Sequence, residues 1–91
     1  MGAVTETIRR KLEAGFSPIR LEVEDDSGRH HGHAGARPGG ESHFNVVIEA
    51  TAFQGQSRVM RQRAVYAALR EELSGPVHAL SVVALAPGEV G

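Results

Sequence analysis

The 91-residue sequence contains no cysteine. That absence removes disulfides, thiolate metal sites and cysteine nucleophiles together. The sequence also lacks an excess of charge: 10 Lys+Arg stand against 11 Asp+Glu, a formal net charge of −1 with histidine neutral. This balance excludes a protein whose whole surface grips nucleic acid but leaves room for a local basic face. No window holds the roughly 18–20 apolar residues of a membrane span. The N-terminal MGAVTETIRRKLEAGF carries charges where a signal peptide needs an apolar stretch. A soluble, cytoplasmic protein without membrane contact is therefore expected. Enzyme signatures are missing too: there is no GxSxG, no HExxH, no Walker loop and no GxGxxG before a helix. Ser57 and Ser81 have no evident triad around them, and Glu71-Glu72 reads as a solvated pair, so no catalysis is expected.

Enough apolar residue remains for a packed core, at 41%. A folded chain of this size buries ~64% of its unfolded surface, which supports a single domain over 1–91 with one two-layer core. Val4, Ile8 and Leu12 recur every four residues and predict a helix over 5–14, with Thr5 as N-cap, Gly15 as left-handed C-cap and Pro18 preventing continuation. Ile19, Leu21 and Val23 alternate with Arg20, Glu22 and Glu24 as a half-buried strand. Residues 27–42 form a long Gly/His-rich loop. Phe44, Val46 and Ile48 then alternate as a second strand, most simply antiparallel to the first. After a short turn at 52–55, Ser57 caps a helix predicted over 57–73, with Val59, Tyr66, Leu69 and Leu73 as its apolar stripe and Val65 and Ala68 beside it. Gly75-Pro76 stops it, and VHALSVVALAP supplies a last strand with frayed residues 87–91 beyond it. The order suits a mixed sheet with helices on one face.

Two features carry chemistry. Four of the five histidines, His30, His31, His33 and His43, fall within fourteen positions. His30 and His33, three apart in a loop, can both reach one metal, and neutral imidazole suits zinc, copper, iron or nickel. The alternative is a solvated glycine-rich loop that happens to hold histidine. His78 begins the last strand and is expected at a sheet edge near that loop. The second feature is basic: Arg58, Arg61, Arg63 and Arg70 share the long helix, and Phe53-Gln54-Gly55 before it resembles the turn of a helix-turn-helix. A solvated helix face is the plain alternative.

The segments ESHFNVVI (41–48), AFQGQSRVMRQRAVYAALREEL (52–73) and VHALSV (77–82) resemble the BolA family over nearly the whole chain. The resemblance implies an α+β fold of order α-β-β-α-α-β. This is a two-layer arrangement like class II KH domains, with a three-stranded mixed sheet and no GXXG loop. It further implies a partner of monothiol glutaredoxins that shares a 2Fe–2S cluster with the glutaredoxin cysteine and glutathione, and does not hold the cluster alone. His78 of the HAL turn is the implied metal ligand. Its companion comes from the loop: His30 first, on the match of Asp26-Ser27-Gly28-Arg29-His30, and His33 second. The family's other implied role is a DNA-binding transcriptional regulator acting through 52–73, with Arg58, Arg61 and Arg63 near phosphates. The chain is expected to be a monomer or weak dimer by itself. It departs from the family pattern at Gln62, where many members carry histidine, and in the length of its loop.

Overall fold

A computed structural model describes residues 2–26 and 42–89. Helix α1 (Ala3–Phe16) leads into strand β1 (Arg20–Asp25), and strand β2 (His43–Glu49) follows. A 3-10 turn (Thr51–Phe53), helix α2 (Arg58–Ala68), short helix α3 (Arg70–Ser74) and strand β3 (Ala79–Leu85) complete the order. The element order matches the sequence-based expectation. β2 is the central strand, antiparallel to β1 and parallel to β3.

The register explains the two faces. Leu21 and Val23 stand opposite Ile48 and Val46, while Leu80, Val82 and Ala84 line up with Phe44, Val46 and Ile48. These residues share one face because side chains alternate along a strand. Against it pack Ile8 and Leu12 of α1, Phe53, and Val65 and Leu69 of α2 and its end. Phe16 packs on Phe53 at the core with ring centroids 5.1 Å apart and the rings tilted by 37°. Exposed Glu22, Glu24 and Ser81 lie on the opposite face, which no helix among the described residues covers.

Local signals were overruled in three places. α1 begins earlier than its polar signal, with Gly2 as the extended N-cap residue and Thr5 inside the buried stripe. Thr5 lies three residues before Ile8 and seven before Leu12, so burying those two carries it onto the same face. At the other end Ser17, not Gly15, is left-handed (φ 45°, ψ 57°), donating to the Glu13 carbonyl at 3.1 Å. Pro18 disfavours the right-handed helical conformation at the residue before it, which moves the stop to Ser17.

The long helix is also two. Leu69 leaves helical geometry (φ −107°, ψ 22°), and its N–H is shared between the Val65 and Tyr66 carbonyls at 3.1 and 3.2 Å. The tighter turn re-aims α3, so that Lys11 Nζ donates to Glu71 at 2.7 Å and lies 2.9 Å from Glu72. This bridge ties α1 to α3. The inward face of α2 is Arg61, Val65 and then Leu69, whereas Val59 is 57% exposed and Tyr66 40%. Tyr66 instead lies along the sheet edge, its hydroxyl donating to the Leu80 carbonyl at 3.0 Å.

This assignment of faces predicts unequal losses in urea unfolding. Leu69→Ala removes a buried side chain and costs about 2–5 kcal/mol. Val59→Ala changes stability by no more than about 0.5 kcal/mol. Equal losses would restore the stripe expected from the sequence.

Candidate functional site

The first stretch of β2 and the entry to β3 are stitched at one end of the sheet. The Ser42 carbonyl accepts the N–H of His78 at 2.7 Å and of Ala79 at 3.2 Å. Ser42 itself is fully buried. One residue on, the His43 carbonyl accepts the Asp26 N–H at 2.7 Å, closing β1 onto β2. Asp26 and Ser42 are the described residues that flank the segment 27–41, and of the two it is Ser42 that is hydrogen-bonded to His78. His78 therefore has a fixed backbone and an exposed side chain. Among the described residues no hydrogen bond to its ring nitrogens is made. A metal-binding imidazole needs one ring nitrogen free to ligate, the other being able to donate a hydrogen bond that sets the tautomer.

Sequence reasoning placed His78 at a sheet edge, and the structure agrees, with His78 leading into the outer strand β3. His30 and His33 lie outside the described residues. The neighbour that sequence reasoning passed over is His43. Its ring lies 6.3 Å from that of His78, centroid to centroid, and its Nδ1 is 3.0 Å from the Ser42 hydroxyl. The parallel register pairs His43 with Ala79, and that pairing places it beside His78. Among the described residues no group of three or more His, Asp or Glu side chains gathers to hold a metal. Among the described residues His43 and His78 therefore stand together without a third such side chain beside them.

The basic candidates divide. Arg58 and Arg63 are exposed on α2, which Ser57 caps as expected by accepting the Met60 N–H at 3.2 Å. Arg61 is instead buried and engaged on every side. Its Nε donates to the Gln56 carbonyl at 2.9 Å and its Nη1 to the Ala84 carbonyl at 3.1 Å. Its fork holds both oxygens of Glu89, at 2.6 and 3.1 Å. Arg61 is accordingly a tether between α2, β3 and the chain beyond it, and not a guanidinium on the solvated helix face.

Glu89 was expected to fray, and its anchoring has a readable cause. Ala86-Pro87-Gly88-Glu89 is a tight turn in which Pro87 presets one residue, Gly88 takes φ 86°, and the Glu89 N–H returns to the Ala86 carbonyl at 3.1 Å. Gly88 suits this position because side chains are strained there. The hydrogen bond from Arg61, then the Ala86 N–H, hold the Glu89 carboxyl down at about 2.

This depressed value fixes the sign of an acid effect. In the unfolded chain Glu89 titrates near the ordinary glutamate value of about 4.3. Its contribution to stability is complete above that pH and is lost as pH falls through the folded value. The urea midpoint of Glu89→Gln should therefore lie below that of the parent at neutral pH, and the gap should narrow between about pH 4.3 and 2. A gap independent of pH would contradict the tether.

Comparison with known proteins agrees with the fold. Residues 12–89 match the family described as BolA-like protein. The BolA domain of SufE1 from Arabidopsis thaliana superposes with a TM-score of 0.87 at 48% identity, covering 99% of each chain. BolA-like protein 1 of Homo sapiens is 47% identical over 89 residues, which are 98% of this chain and 62% of that protein. The DNA-binding transcriptional regulator BolA of Escherichia coli (strain K12) is 46% identical over 79 residues, 87% of this chain and 71% of that protein. The chain spans 25% of the full plant SufE-like protein and 64% of the Pongo abelii BolA-like protein 1. The family match, the identity to these relatives and the shared α+β architecture agree: the chain belongs to the BolA-like family.

Proposed function

We propose that this protein is the histidine-bearing half of a shared 2Fe–2S site, pairing with a monothiol glutaredoxin in iron–sulfur trafficking or iron and redox regulation. The observation that carries the reading is the position of His78. Its ring is exposed, its backbone is fixed by the Ser42 carbonyl, and Ser42 directly follows segment 27–41 in the chain. In this reading the cluster is cargo. The glutaredoxin cysteine and glutathione hold one iron, while His78 and a loop histidine, His30 or otherwise His33, hold the other. Imidazole in place of thiolate raises the reduction potential of such a centre. Protonation of imidazole competes with the iron, so acid favours release. A chain without cysteine suits a site whose thiolates come from its partner.

The test mixes this protein with cluster-loaded monothiol glutaredoxin and glutathione, followed by visible absorption and circular dichroism. A new stable spectrum at one-to-one stoichiometry is expected. His78→Ala should abolish it while far-ultraviolet circular dichroism stays unchanged. His30→Ala should shift it, and if His30→Ala is silent, His33→Ala should shift it. An unchanged spectrum with no complex on a sizing column overturns the proposal.

A second reading is a DNA-binding regulator, favoured by the name of the Escherichia coli relative and by exposed Arg58 and Arg63 on α2. It requires affinity that falls with salt. Arg63→Ala should weaken binding across sequences and lower the salt slope by about one. Affinity indifferent to both salt and Arg63 would count against it.

A further inference from the structure

Two imidazoles meet at one end of the sheet face that no described helix covers. His43 opens β2 and shares that face with Asn45 and Val47, because Phe44, Val46 and Ile48 take the core. His78 stands just before β3, its N–H held by the Ser42 carbonyl. The two rings lie 6.3 Å apart, centroid to centroid, and are tilted by 42°. Across the parallel pairing His43 faces Ala79, an exposed residue with only a methyl group to offer, so the space beside the pair is open.

That separation is close to what one metal ion requires. With each nitrogen about 2.0–2.1 Å from a tetrahedral metal, two imidazole centroids stand roughly 5 Å apart. Rotation about the side-chain bonds of exposed His78 closes the difference without moving the backbone. His43 is the more fixed partner: it is half-buried, and its Nδ1 lies 3.0 Å from the hydroxyl of buried Ser42. A hydroxyl that accepts the Nδ1 proton selects the tautomer whose Nε2 can ligate, and such outer partners orient metal-bound histidines. Among the described residues no third such side chain joins the pair, so water fills the remaining positions and the ion is exchangeable. Neutral imidazole donors favour zinc, nickel or copper over magnesium or calcium.

We infer that His43 and His78 form a two-imidazole site for a single divalent zinc, nickel or copper ion in the protein without its partner. The site is independent of the shared-cluster reading. His43 has no part in that reading, and the ion needs neither a glutaredoxin nor the histidines of 27–41.

The probe is zinc sulfate added to the full chain alone, followed by calorimetry and by NMR of the histidine rings. The ring signals of His43 and His78 should move together. His43→Ala and His78→Ala should each weaken zinc binding at least about tenfold, because the second imidazole of a pair binds intramolecularly. Ser42→Ala keeps the carbonyl that joins β2 to β3 and should weaken binding about tenfold. Copper should bind more tightly than zinc, and magnesium should not compete. Combining His30→Ala, His31→Ala and His33→Ala should leave the response of the pair in place. If His43→Ala folds poorly, His43→Phe replaces it, and in the unsubstituted chain nickel should broaden both ring signals. Zinc that leaves the two rings silent overturns the inference. So does a folded His43 variant of unchanged affinity, or loss of the response when the three loop histidines are replaced. Zinc binding at the pair in a protein that forms no cluster complex with glutaredoxin supports the site and removes the shared-cluster reading. A cluster complex formed by a protein whose pair ignores zinc overturns the site and spares that reading.

Discussion

The Ser42 carbonyl is the point on which the arrangement depends. By accepting two successive N–H groups, from His78 and Ala79, it starts the parallel pairing of β3 with β2. Parallel pairing needs a crossover, and the α2–α3 segment supplies it on the face where the core lies. The same contact fixes His78 beside Ser42, where the chain enters β2. Fold and candidate site therefore share one hydrogen-bonded junction. Its buried position protects both.

Parallel pairing also leaves β3 as an edge strand, whose outward carbonyls need partners. α2 provides them. Tyr66 donates to the Leu80 carbonyl and Arg61 to that of Ala84. These two contacts explain why the inward face of α2 includes a guanidinium and why its tyrosine stays at the surface. Arg61 is accepted in the interior because its donors are met by two carbonyls and a carboxylate, the condition under which buried charge is tolerated. The two ends of β3 thus carry different chemistry. One presents an exposed imidazole, and the other a guanidinium already paired.

Element order, a mixed sheet and the core faces of Leu21 and Val23, of β2 and of β3 were legible in the sequence, because period-two alternation in these strands is a local signal that burial reinforces, whereas Ile19, on the same alternation, precedes β1 and is 65% exposed. Ser57 read correctly as a cap for the same reason. Thr5 and Gly15 misled because a capping residue type is only a local preference. The burial of Ile8 and Leu12 and the effect of Pro18 decided the ends instead. Arg61 misled because charge on a helix suggests solvent, and nothing local reveals acceptors at 84 and 89. The nearness of His43 to His78 is likewise a product of parallel register, which joins residues far apart in sequence. His78 itself was legible, since a short connection into an edge strand beside a hairpin leaves it few other places.

The central claim is that imidazole from this chain binds the shared cluster, and magnetic resonance tests it at the level of the bond. The protein would be labelled with nitrogen-15 histidine, combined with cluster-loaded glutaredoxin and glutathione, and reduced by one electron to a paramagnetic state. The account predicts nitrogen-15 hyperfine couplings from two coordinated imidazoles, with one removed by His78→Ala. A reduced cluster bound in the complex without nitrogen-15 coupling, or couplings unchanged in His78→Ala, would contradict it.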